Sequence, residues 1–350
     1  MTERENILRA VRFERPECIP MVFHINAACW HHYSPEALRQ LMASHPLLFP
    51  GFEPTSQRLE LAYDPTSSAD RPFVDGWGCI WETTEDGITG TVTSNPLSNW
   101  DDFDTYVPPD PLVSSGRDAL DWDQVAEACR RARSQGQLVR GGLPHGHTFM
   151  TLMYIRGYEN LLYDMADTEP HLERLTQMLE EFNLALVERY LDLGVEWMGY
   201  AEDLGMQVGP MLSPEYFRRY IKPTYQRLMA PARASGCIIH MHSDGDIRTL
   251  VDDLLDGGVQ VINLQDLVNG LDWIAQNLAG KVCIDLDIDR QQITRFGTPE
   301  QIDGLIRREV EELGCKEGGL MMIYGLYPGV PLENVNALMH AMEKYATYYA

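Results

Sequence analysis

No run of about 18 apolar residues occurs, so nothing in the sequence reads as a transmembrane helix. The start, MTERENILRAVRFERP, lacks the apolar stretch of a signal peptide. No Cys-x-x-Cys pair is present: the seven cysteines are scattered at Cys18, Cys29, Cys79, Cys129, Cys237, Cys283 and Cys315. An odd, dispersed set without a signal peptide reads as reduced thiols and predicts a cytoplasmic location. No Gly-x-Gly-x-x-Gly or Walker motif follows an apolar run, which removes the usual nucleotide-binding readings. Positive charge is scarce. Lys and Arg number 28 against 52 Asp and Glu, for a formal net charge of −24. Such a surface repels phosphate backbones and anionic lipid, so nucleic-acid and membrane partners are disfavoured. An anionic small molecule stays compatible, because one Arg in a pocket outweighs a distant field.

What is present is a core and a rhythm. Apolar residues make up 44% of 350 residues. After CIPMVFHI (18–25), short apolar strands alternate with amphipathic helices: LVRGGLP (138–144), VEWMGYAED (195–203), CIIHMHSDG (237–245), VQVINLQD (259–266), KVCIDLDID (281–289) and GLMMIYGLYPG (319–329). That alternation predicts parallel βαβ units. We read the chain as α/β, a (β/α)8 TIM barrel forming a single domain over 1–350, with an open doubly wound sheet as the other architecture. The stretch 70–118 breaks the rhythm. Its β-formers around Asp86-Gly87 predict a hairpin excursion from the barrel.

In a barrel, chemistry gathers at the C-terminal ends of strands, so polar residues there are the candidates. His240 and His242 are two apart on one strand and share a face. Neutral imidazoles so placed are ligands for zinc or a similar divalent ion. The bland alternative is one core histidine and one exposed. Glu202 and Asp203 are adjacent, so only one points inward, and either is a ligand or a general acid/base. Asp285 and Asp287 share a face with Cys283. Asp287 is the candidate ligand or general base, Cys283 a small core residue, and Asp289 a helix cap. Tyr324 ends the last strand as a hydrogen-bond donor or a packing residue. His24, Asn26, His145, His147, Asp203 and Asp285 are the candidate substrate-binding positions. Trp77, Trp81 and Trp100 read first as a satellite core and second as a stacking wall.

Four segments carry a resemblance: TERENILRAVRFERPECIPM near the start, EDLGMQVGPMLSPEYFRRYIKP (202–223), HMHSDGDIRTLVDDLLDGGVQVIN (240–263) and GGLMMIYGLYPGVPLENVNALMHAMEKY (318–345). Together they resemble the uroporphyrinogen decarboxylase and corrinoid methyltransferase superfamily. The resemblance implies a barrel enzyme. True decarboxylases of that group carry an Arg-rich RQAGR-like segment after the first strand, whereas HINAACWHHY (24–33) stands here without arginine. Its methyltransferases carry a zinc on a His-x-Cys pair and a later Cys. Here His240 matches the His, His242 replaces the Cys, and Tyr324 stands near the second Cys position. The resemblance thus implies a site richer in nitrogen and oxygen donors, with Glu202 or Asp287 completing the pair His240 and His242, in a member closer to the methyltransferase branch than to the true decarboxylases.

Three functions follow as expectations. The first is metal-dependent methyl transfer between a small O- or N-methyl substrate and a corrinoid, supplied by a partner protein, or a thiol. The second is a metal-dependent lyase, hydrolase or decarboxylase of a small polar molecule that needs no corrinoid. The third is a non-catalytic ligand-binding barrel. A homodimer through the aromatic excursion is a further expectation.

Overall fold

The structure, a computed structural model, describes residues 1–54 and 61–350. It is an α/β fold. Seven strands form a parallel sheet in the order β1-β10-β9-β8-β7-β6-β5, and three more form a small antiparallel sheet, β2-β3-β4. The strands are β1 (Met21–Ile25), β2 (Phe73–Val74), β3 (Ile80–Glu82), β4 (Thr91–Ser94), β5 (Arg140–Leu143), β6 (Trp197–Asp203), β7 (Ile238–Asp244), β8 (Val261–Gln265), β9 (Cys283–Asp287) and β10 (Leu320–Leu326). The seven apolar runs expected as strands are these seven parallel strands. The eighth strand of a closed barrel is absent among the described residues. The chain divides into two compact units, one of Met1–Ala69, Thr83–Thr89 and Asn263–Ala350, the other of Asp70–Glu82 and Gly90–Ile262.

In the first unit, β10 lies between β1 and β9, with Phe23 opposite Tyr324 and Ile323 opposite Asp287. Local chemistry fixes the flanking helices. Thr2 caps Glu3–Arg12 by accepting the Glu5 N–H, and the Phe13 backbone turns left-handed to end it. Thr298 and Gln301 close a reciprocal capping box at the head of Pro299–Leu313. That helix and Leu332–Ala346 bury Ile302, Ile306, Val310, Val335, Leu338 and Met342. Completely burying one such side chain is worth about 1.5–3 kcal/mol, so these helix faces contribute several kcal/mol to the unit's stability.

In the second unit, β5, β6 and β7 run parallel and in register, with Ala201 opposite His242 and Asp203 opposite Asp244. Along β6 the side chains alternate: Met198, Tyr200 and Glu202 are buried, whereas Gly199, Ala201 and Asp203 are half-buried. β7 repeats this, with Met241 and Ser243 buried and His240, His242 and Asp244 half-buried. Pro170–Asp192 and Lys222–Ala234 cover the buried face. The helical path into the latter passes through a π turn at Phe217–Ile221 just before Pro223, whose missing N–H makes a regular helical bond there impossible.

The excursion contains the expected hairpin, β3 and β4 paired antiparallel around Asp86-Gly87, and β2 adds a third antiparallel strand. β3 pairs with β2 on one side and β4 on the other, and Asp86-Gly87 sits in the longer 83–90 connection. Gly87 has φ +84°, and a Cβ there would lie 2.4 Å from the Ala28 backbone nitrogen, so close packing as well as turn shape demands glycine. The tryptophans make a satellite core: Trp81 packs edge-on to Tyr154, Trp77 edge-on to Phe182, and Trp100 edge-on to Phe103.

Candidate metal centre

The half-buried face of β6 and β7 ends in Asp203 and His242. The loop after β5 brings a third group, His145. His145 Nε2 lies 3.3 Å and His242 Nε2 3.6 Å from Asp203 Oδ1, and the two imidazole rings are 5.6 Å apart. One ligand atom from each of the three falls within 4.8 Å of the others, the one such His/Cys/Asp/Glu group among the described residues. Asp203 is steadied by the Asp244 N–H at 3.1 Å, and Asp244 Oδ1 stands 3.8 Å from His242 Nε2. Burial alone would push the Asp203 carboxyl up. Hydrogen bonds from His145 and His242, and their charge when protonated, outweigh it and hold Asp203 well below the usual carboxylate range. Two imidazoles and one ionised carboxylate on neighbouring strand ends form a donor set that suits a divalent transition metal with coordination positions left open.

Glycine makes this convergence possible. A Cβ on Gly245 would lie 2.1 Å from the Gly205 carbonyl carbon, so the backbones just past Asp203 and Asp244 are in direct contact. Gly245 also has φ +81°. Among the other donors, Ser243 Oγ accepts the Leu204 N–H at 2.9 Å and ties the same two strand ends together.

The structure departs from the expected ligand set at two positions. Glu202 points to the opposite face from Asp203, as alternation requires. It is fully buried and accepts the N–H groups of Thr148 and Phe149 on Oε1, at 2.5 and 2.8 Å, and of Met150 on Oε2 at 3.2 Å. Glu202 thus caps the helix Phe149–Arg156 instead of joining His242. Burial nevertheless pushes its carboxyl up to about 8, against those three donors. His240 lies one full alternation nearer the strand start than His242. Its ring packs on Trp197 at 5.0 Å, and it is not in the three-residue group.

His147 and Tyr225 share Glu202's buried surroundings. Burial, with the charge of His145, holds His147 down at about 3, so it is neutral, and its Nδ1 meets Thr148 Oγ1 at 2.6 Å. Tyr225 is pushed up by burial and then by the Glu202 charge beside it. Among the described residues His147 Nε2 and the Tyr225 hydroxyl have no hydrogen-bond partner, so this buried polar pocket is incompletely satisfied.

The remaining candidates belong to the first unit. Asp287 is buried and paired with Arg290 at 2.8 Å. Asp285 is buried, and its backbone carbonyl accepts from Asn263 at 2.5 Å. Tyr324 turns toward the helices, where its hydroxyl donates to Thr294 Oγ1 at 3.3 Å and its ring meets Phe23. Both of its readings are present here, a hydrogen-bond donor and a packing ring. Asp289 caps Ile293–Phe296, taking N–H groups from Gln291, Gln292, Ile293 and Thr294. His24 is exposed near the end of β1, and Asn26 Oδ1 accepts the Ala28 N–H. Cys283 is fully buried and its thiol is pushed up by burial, as in a core residue.

The sequence pointed to Asp203 as a ligand, a general acid/base or a substrate-binding residue and to His145 as a substrate-binding residue only. One signal was available for Asp203. Gly199, Ala201 and Asp203 form a small-residue row two apart, the mark of a crowded inner face, whereas Met198 and Tyr200 precede Glu202 on the bulky face.

Comparisons with known proteins agree with this fold. The uroporphyrinogen decarboxylase (URO-D) family model matches residues 76–345. A uroporphyrinogen decarboxylase of Thermus thermophilus is 28% identical over 183 residues, covering 50% of this chain and 48% of the relative. One of Danio rerio is 25% identical over 185 residues, covering 50% and 46%. The alignments thus span about half the length of these curated relatives. The solved structure of a methyltransferase from Methanosarcina mazei superposes with a TM-score of 0.65 at 19% identity, covering 99% of both chains, a likeness of fold. A family match over most of its length, on parallel strands in the expected order, makes this chain a member of the uroporphyrinogen decarboxylase family.

Proposed function

We propose that this protein is a metal-dependent enzyme that moves a methyl group from a small O- or N-methyl compound to a corrinoid on a partner protein or to a thiol. The observation that carries the reading is the approach of His145, Asp203 and His242 at the ends of parallel strands. A divalent ion bound there would supply Lewis acidity toward an oxygen or nitrogen of the donor. Asp203, held ionised, supplies the anionic ligand, and the Asp244 N–H fixes its orientation. His145 and His242 supply neutral donors. In the transfer, the bond from the methyl carbon to its oxygen or nitrogen breaks, and a bond to the acceptor nucleophile forms. The heteroatom leaves with the electron pair, and a divalent ion held by His145, Asp203 and His242 would supply the positive charge that stabilises it. The full-length likeness of fold to a protein named a methyltransferase is consistent with this reading.

A second reading, decarboxylation of a small acid at the same centre, is favoured by the relatives named uroporphyrinogen decarboxylase. Incubating zinc-loaded protein with reduced cobalamin and methoxy- or methylamino-compounds, followed by NMR of the methyl resonance, separates the two. Methyl loss that disappears in Asp203→Asn and His242→Ala supports methyl transfer. Release of carbon dioxide without methyl loss supports the second reading. Wild-type turnover in both variants would sink the metal centre under either.

A further inference from the structure

We propose that Arg117 is the anchor for a carboxylate of the substrate, and that the natural substrate is therefore a small organic acid. The inference rests on the metal reading only for the position of the reacting atom. The anchor itself stands on separate observations.

Arg117 is half-buried, and its guanidinium carbon lies 4.8 Å from the centre of the Trp81 ring and 5.8 Å from that of Tyr154. The two rings meet edge-on at 4.8 Å, so they form a corner that holds the guanidinium plane. Trp81 is itself fixed, because its Nε1–H donates to Asp75 Oδ2 at 2.8 Å. Asp75 takes two backbone N–H groups on its other oxygen, from Trp77 and Cys79, each at 2.9 Å. Asp75 tempers Arg117 electrostatically but is already spoken for by these three donors. Among the described residues no carboxylate forms an ion pair with Arg117. Most other arginines that stack on a ring on this surface are solvent-facing or paired, as Arg156 is with Asp164.

The position ties the anchor to the candidate centre. A Cβ on Gly146 would lie 3.5 Å from Arg117 Nη2, so the guanidinium sits against the residue that follows His145. Tyr154 feels the charges of both Arg117 and Asp203. In a chain of net charge −24 the Arg117 guanidinium is a fixed positive charge beside the loop that carries His145. A planar guanidinium that no described carboxylate pairs with matches a carboxylate bidentately. Asp75, Trp81 and Tyr154 hold it before the ligand arrives, which lowers the entropy cost of binding.

Calorimetric titration of the full chain tests this with acetate, benzoate and 4-methoxybenzoate, each against its uncharged amide. The titrations are run with and without saturating zinc. We expect at least one acid to bind roughly tenfold or more tightly than its amide. Arg117→Gln should erase the preference and Arg117→Lys should restore part of it, with zinc uptake equal to wild type in both. A preference that survives in zinc-free protein and in His242→Ala upholds the anchor even if the metal reading fails. No acid preferred over its amide, or an undiminished preference in Arg117→Gln, would overturn the proposal.

Discussion

Glu202 offers a quantitative test of how the helix side of the site is built. Its carboxyl is fully buried and shifted from an ordinary value of 4.5 to about 8, chiefly by desolvation, despite three backbone N–H donors. Between those values the folded chain holds a proton that the unfolded chain has released. The stability this group contributes is therefore complete below about pH 4.5 and is lost as pH rises through about 8. At about 1.4 kcal/mol per unit, the shift corresponds to a loss of about 5 kcal/mol. His147, held at about 3, has the opposite sign: its contribution is complete above its ordinary value of 6.5 and is lost as pH falls toward 3. The two slopes cancel between about pH 4.5 and 6.5, so the alkaline limb from 6.5 to 8 isolates the glutamate. Glu202→Gln keeps one acceptor oxygen for Thr148 and Phe149 and cannot ionise. Urea unfolding of metal-free protein, followed by tryptophan fluorescence from pH 5 to 9, measures both chains. The stability difference, wild type minus variant, should fall by several kcal/mol across this range. A difference independent of pH would refute the assignment of a protonated, desolvated carboxyl.

Other predictions follow from particular contacts. Arg156→Met removes the buried partner of Asp164, an ion pair at 2.6 Å, together with bonds to the Leu97 and Ser98 carbonyls. The cost should be about 3–5 kcal/mol in urea unfolding, and a loss below 1 kcal/mol would mean that water replaces it. Gly245→Ala places a Cβ 2.1 Å from the Gly205 backbone at φ +81°. It should destabilise the fold by about 3 kcal/mol or more and weaken metal uptake by parting Asp203 from His242. An undiminished melting temperature would contradict that close approach. Metal affinity should fall as pH is lowered, since protons compete for the imidazole donors. Calorimetry at several pH values reads this as proton release on binding, and its absence would speak against histidine ligation.

Strand positions were legible because buried parallel strands are short apolar runs between amphipathic helices, and that signal survives whatever surrounds it. The runs at 195–203 and 237–245 became β6 and β7 with only their ends trimmed. The alternation that pairs His240 with His242 on one face was equally legible. Which of Glu202 and Asp203 turns inward depends on strand phase, and two adjacent acids carry opposite phases with equal plausibility. The bulky Met198 and Tyr200 on Glu202's face decide it. His145 had no periodic signal, since it lies on a loop whose path is set by the Gly146 turn and by Glu202 capping the helix beyond. Arg117 was invisible for the same reason. Its meaning comes from Trp81 and Tyr154, which are distant in sequence.

The central claim is that His145, Asp203 and His242 bind a divalent metal and that His240 does not. Metal content by mass spectrometry, on tag-free protein prepared without chelator and then titrated with zinc, tests it directly. The account predicts near-stoichiometric metal in the wild type and in His240→Ala. It predicts loss in His145→Ala, Asp203→Ala and His242→Ala well beyond the roughly 10–100-fold weakening caused by removing an outer-shell partner. No uptake by the wild type, or metal kept by His145→Ala and lost by His240→Ala, would contradict it.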